Sequence, residues 1–100
     1  MRLDPVRLMP DAHKVVFENA YVRIVDSRMP AGASEVRHWH PDNVTVALGE
    51  WSAEVVSDPG QKTTRVHRTF GSSAWNAAGI HEVRMDAGAP SHQIRIELKY

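Results

Sequence analysis

The strongest signal along the chain is alternation with a period of two. From Gln93 to Tyr100 the run QIRIELKY places Ile94, Ile96, Leu98 and Tyr100 on one face and Gln93, Arg95, Glu97 and Lys99 on the other. That is the pattern of a strand with one buried face, and it assigns the isoleucines to the core side. Val44, Val46 and Leu48 alternate in the same way, as do Trp51, Ala53 and Val55. Only Gly49 and Glu50 separate these two runs, which predicts a hairpin. Further strands are predicted at Lys14–Phe17, Tyr21–Met29, Glu35–His40, Thr63–Phe70, Ser73–Asn76 and Glu82–Asp86. Between them lie turn formers such as Pro30-Ala31-Gly32, Pro41-Asp42-Asn43, Asp58-Pro59-Gly60 and Ala87-Gly88-Ala89-Pro90. The best helical candidate, Val6 to Val15, is broken by Pro10. So many short strands at this spacing point to an all-β sandwich or barrel.

Composition narrows the function classes. With 100 residues one core is feasible and two are not. The 12 basic and 12 acidic residues cancel, so no general electrostatic attraction to nucleic acid or an anionic membrane is expected. The absence of cysteine removes disulfides, thiolate metal ligands and a thiol nucleophile. No run approaches the roughly 20 apolar residues of a membrane span, and the N-terminus has no signal-peptide pattern, so a cytoplasmic location is expected.

Six histidines stand out: His13, His38, His40, His67, His81 and His92. His38 and His40 are two apart on a predicted strand and leave the same face, together with Val36, while Arg37 and Trp39 leave the other. If Val36 marks the core side, two imidazoles point inward. They are then either a metal-binding pair or two half-buried histidines bonded to neighbours. His67 shares parity with Arg65 and is expected in solvent. His13 precedes the first strand and His92 follows a turn, and both are expected to be ordinary surface residues.

The frame around these histidines, Gly32-Ala-Ser-Glu-Val-Arg-His38-Trp-His40 followed by Gly49, then Gly71 through Ala78-Gly79-Ile80-His81, resembles the two motifs of the cupin superfamily. The resemblance covers about Tyr21 to Lys99. It implies a single cupin-like domain over residues 1–100, with an N-terminal arm and first strand over 1–20 and the barrel over 21–99. The implied fold is a cupin-type double-stranded β-helix, a small jelly-roll-like barrel. The implied metal ligands are His38, His40 and His81. Three features depart from the family pattern: Val44 and Thr45 stand where its Glu falls, Ala77 replaces the Pro of the second motif, and Met85 lies near the place of its Asn.

Three neutral histidines without the carboxylate leave a bound cation its full charge and open positions for water, substrate or O2. Some cupins that look like this hold ferrous iron and act as dioxygenases on thiols or diketones. The resemblance therefore implies one divalent transition metal per chain, Fe(II) favoured over Ni, Mn, Zn or Cu. It implies an Fe(II)-dependent dioxygenase acting on a small organic acid, thiol or diketone. The alternative is a non-catalytic module that binds a small ligand, with or without metal. Strand parity predicts pocket walls of Val83, Met85, Ile94 and Ile96, mostly apolar and without an evident general base. Arg84 has the opposite parity to His81 and is expected outside. Trp51 and Trp75 are expected to pack in the core. Trp39 is expected on the outer surface, where a large aromatic predicts a homodimer interface. A small-molecule ligand is the other expected partner.

Overall fold

The structure, a computed structural model, describes residues 3–99. One helical turn, α1 (Pro5–Leu8), is followed by nine strands. They are β1 (His13–Glu18), β2 (Val22–Met29), β3 (Ser34–His40), β4 (Asn43–Ala47), β5 (Trp51–Ser57), β6 (Lys62–Arg68), β7 (Ser73–Asn76), β8 (Gly79–Met85) and β9 (Ser91–Leu98). Every predicted strand is present, displaced by a few residues at its ends. Tyr100, the last residue of the predicted final strand, lies outside the described residues. Among those residues no helix is long and apolar enough to cross a membrane.

The strands form two antiparallel sheets, one ordered β1-β2-β9-β4-β7 and the other β3-β8-β5-β6. Only β1–β2 and β5–β6 are hairpins; every other connection passes from one sheet to the other. This is a jelly-roll-like all-β fold built from two facing sheets rather than a closed barrel. The expected hairpin through Gly49 and Glu50 is therefore not one. β4 pairs with β7 and β9, whereas β5 pairs with β6 and β8, so the turn carries the chain between sheets. Turn chemistry marks a reversal of direction but not whether the next strand stays in the same sheet.

The two sheets divide the interior into an apolar end and a polar end. Met29, Trp51, Ala53 and Met85 form the apolar cluster, with Ala12, Ala33, Val66 and Val83 packed against it. The inner face of the five-stranded sheet is largely polar, presenting His13, Ser27, Asn43, Thr45, Ser91, Arg95 and Glu97. β9 thus sits the opposite way from its predicted orientation: Arg95 and Glu97 are buried, while Ile94 and Ile96 face outward and are only half-buried. Alternation reveals two faces but does not say which one meets the partner sheet. Here the polar face wins because its groups find partners indoors: Asn43 for Arg95, and Arg23 and His40 for Glu97.

The displaced isoleucines have company outside. Phe17, Ile24, Ile96, Val44 and Trp75 are successive register partners across all five strands and form a continuous apolar row. Trp75, expected in the core, is 58% exposed at one end of this row. Trp51 is buried as expected. Trp39 does lie off the histidine face, but it is half-buried, and its backbone N–H donates to the Leu3 carbonyl of the N-terminal segment at 2.8 Å. That segment is fastened by Asp4, which caps α1 through the Val6 N–H and accepts two hydrogen bonds from Arg23.

The face assignment predicts unequal costs for two apolar substitutions. Met85→Ala in the apolar cluster should lower the free energy of unfolding by about 2–5 kcal/mol, whereas Ile96→Thr on the outer face should cost about 1 kcal/mol or less. Urea unfolding of both variants checks this, and a larger loss for Ile96→Thr would return the isoleucines to the core.

Candidate metal centre

A bulge in β3 builds the site. In the β3–β8 pairing Glu35 faces Val83 and His38 faces His81, so Val36 and Arg37 together oppose the single residue Glu82. The extra residue reverses parity within the strand. Val36 is 54% exposed, and Glu35 takes the inward position that simple alternation gives to Val36. His38 and His40 still point inward. His38 and His81, as direct cross-strand partners, stand with ring centroids 4.6 Å apart.

The three histidines converge. One ring nitrogen from each of His38, His40 and His81 lies within 4.8 Å of the others, and the Nε2 atoms of His38 and His81 are 2.9 Å apart. Two imidazoles bound at about 2.0–2.1 Å and at right angles on one cation place their nitrogens about 3 Å apart. Outer contacts orient two of the rings. His38 Nδ1 donates to the Val36 carbonyl at 2.6 Å, an acceptor that the bulge itself supplies. His40 Nδ1 donates to Glu97 at 3.2 Å, leaving its Nε2 lone pair toward the centre. Such contacts fix the tautomer of metal-ligating histidines. The His40 Nε2 lone pair now accepts from Arg95 Nη1 at 2.5 Å, and a cation held by all three histidines would take it instead. The donor set therefore fits a divalent transition metal, with one guanidinium to be displaced from His40.

All three rings are held neutral, as metal ligation requires. Burial, and then Arg95, push His40 far below the ordinary histidine value. Burial, with His38 and Arg95, pushes His81 down to about 3. Burial also lowers His38, against the opposing pull of Glu35 and the Val36 carbonyl.

The centre opens on a cavity of about 450 Å³. Val83 and Met85 line it as expected; Ile94 and Ile96 do not, because they lie on the other side of their sheet. Its walls are mixed rather than mostly apolar, because Glu35, Asn43, Thr45, Gln93 and Arg95 contribute to them. Glu35 brings a buried carboxylate beside the three histidines, from a strand position before the histidine pair, although it is not one of the converging donors. Its Oε2 lies 3.4 Å from His38 Nε2, and its Oε1 lies 3.1 Å from His13 Nε2 without hydrogen-bond alignment. Burial pushes the Glu35 carboxyl up, but the adjacent His13 outweighs it and holds the group below the ordinary value.

His13 is thus not a surface residue. It is 1% exposed, with Nδ1 against Ser27 Oγ at 2.8 Å, and it belongs to the outer shell of the site. Its direct pairing with Ser27 across β1–β2 puts it on the inner face. His67 is exposed as expected, and His92 lies at the surface beside Asp26.

No family profile matches the sequence, and no curated protein matches it. Among solved structures, the chain is similar to a cupin domain from Bordetella pertussis at 22% identity, covering 88% of this chain and 92% of that one, with a TM-score of 0.77. An uncharacterised double-stranded β-helix protein from Klebsiella pneumoniae matches at 20% identity, 87% and 75% coverage and a TM-score of 0.65. The polyketide cyclase RemF from Streptomyces resistomycificus matches at 13% identity, 88% and 64% coverage and a TM-score of 0.64. The chain has the cupin fold.

The neutral state of these histidines has a consequence for pH. Between about pH 6.5 and about 3 the unfolded chain binds protons at histidines that the folded chain keeps neutral, so stability falls as pH falls. Each such histidine contributes a slope of up to about 1.4 kcal/mol per pH unit. Urea unfolding of metal-free protein should show a lower midpoint at pH 5 than at pH 7. An unchanged midpoint would mean that the rings protonate in place.

Proposed function

We propose that the protein is a metal-dependent enzyme, an Fe(II) dioxygenase acting on a small organic acid, thiol or diketone held in the cavity beside His40 and His81. The observation that carries this reading is the convergence of three neutral imidazoles on one point that opens on a cavity. A bound ferrous ion would supply O2 activation and Lewis acidity at positions the three histidines leave free. The chain's own contribution is positional. Glu97 and the Val36 carbonyl fix the tautomers of His40 and His38. Met85, Trp51 and Val83 shield one end of the cavity from water, and Asn43, Thr45 and Gln93 offer hydrogen bonds to a polar substrate.

Glu35 favours a second reading. A buried carboxylate on the cavity wall, 3.4 Å from a ligand nitrogen, is placed to take a proton from a substrate polarised at the centre, with no O2 consumed. Anaerobic reconstitution with Fe(II), followed by small thiols, diketones and organic acids in an oxygen electrode, separates the two. The dioxygenase reading expects substrate-dependent O2 uptake that His81→Ala reduces by at least about a hundredfold. Turnover without O2 uptake would favour the Glu35 reading, and binding without turnover would favour a ligand-binding module.

For the oligomer, we propose that two copies associate through the outer row from Phe17 to Trp75 rather than through Trp39. The row spans the whole five-stranded sheet, so a twofold axis on it would match apolar surface to apolar surface. Light scattering should give a dimer mass for the native chain and a monomer mass for the Phe17→Ser, Trp75→Ser double variant. A monomeric native chain at micromolar concentration would contradict it.

A further inference from the structure

Arg95 is a buried charge without an ion pair among the described residues. Its side chain sits in the middle of the inner face of β9, 7% exposed, and no carboxylate of the described residues comes within 4.0 Å of it. Its guanidinium donates through Nε to the neutral Asn43 Oδ1 at 3.2 Å and through Nη1 to His40. Nη2 has no acceptor among the described residues. Burying a cation in this state is costly unless something anionic completes it. Glu97, the nearest acidic residue along the strand, is engaged by Arg23 at 2.7 Å and by His40.

Metal binding sharpens the imbalance. Were His40 to hold a cation with His38 and His81, its Nε2 would no longer accept from Arg95, whose remaining partner would be the Asn43 amide. The enclosed charges would then be the divalent ion, Arg95 and Arg23 against Glu35, Glu97 and Asp4, a positive excess in a low-dielectric interior. Arg95 lines the same cavity as His40 and His81, so one anionic group could meet both the cation and the guanidinium. The buried indole N–H of Trp51, on the cavity wall, also lacks an acceptor.

We propose that Arg95 is the specificity-determining residue of the site and that it selects a small carboxylic acid, whose carboxylate lies on the guanidinium fork beside the metal. This rests on the metal-centre reading and narrows its substrate to the acid class. The fork geometry of a guanidinium matches a carboxylate through two parallel N–H donors, and a lysine cannot reproduce it. The mostly apolar pocket expected from strand parity is replaced by one that carries a guanidinium on its wall.

Cobalt(II)-loaded protein provides the test, with calorimetry and the cobalt visible spectrum as readouts. The probes are propionate, its uncharged isostere propionamide, and inorganic phosphate. The native chain should bind propionate about tenfold or more tightly than propionamide or phosphate, with a change in the cobalt bands. Arg95→Gln should abolish that preference, and Arg95→Lys should retain only part of it. Preference undiminished in either variant, or phosphate bound more tightly than propionate, would overturn the proposal. Thermal melting reports whether Arg95→Gln folds; if it does not, Arg95→Lys decides. If the native chain binds no cobalt, the metal-centre reading fails by itself. Calorimetry on the metal-free protein then still decides the anion site, because propionate preference must depend on Arg95 there too.

Discussion

Among the described residues ten polar or charged side chains are buried between two small sheets, and the need to satisfy them organises the rest of the molecule. In a low-dielectric interior each must find a partner or face a cavity. His13 finds Ser27, Glu97 finds Arg23 and His40, and Asn43 accepts from Arg95. What remains without a hydrogen-bond partner among these residues lies around the site: His13 Nε2 beside Glu35, the Trp51 indole N–H on the cavity wall, and Nη2 of Arg95. The apolar cluster around Met29, Trp51, Ala53 and Met85 closes one end of the interior, and the polar end is given to the site.

The bulge at Val36 and Arg37 is the local device that makes this arrangement possible. It keeps His38 opposite His81, turns Glu35 inward, and leaves the Val36 carbonyl where it accepts from His38. Without the extra residue, Glu35 and His38 could not share a face, because strand alternation puts residues three apart on opposite sides. A buried carboxylate thus stands beside His38 and His13 although Val44 and Thr45 offer none.

The alternation in the sequence was sufficient to locate all nine strands, and the histidine spacing within its motif frame was sufficient to single out the three converging rings. Three features were beyond it. The orientation of β9 was not legible because Ile94 and Ile96 are as good a core face as any; only the partner sheet shows that Arg95 and Glu97 go inside. The connection at Gly49 and Glu50 read as a hairpin because a short turn looks alike whether it links neighbours in one sheet or strands of two. Glu35 and His13 were missed because a bulge and a cross-strand pairing place them, and neither leaves a period in the sequence.

The metal-centre reading requires His38, His40 and His81 to hold one metal ion together. Anomalous diffraction from crystals of the cobalt-loaded protein tests it most directly. A single strong peak is expected about 2.0–2.2 Å from a ring nitrogen of each of the three histidines, with Arg95 withdrawn from His40. Full cobalt loading with the peak elsewhere, or with Arg95 still bonded to His40 Nε2, would contradict it.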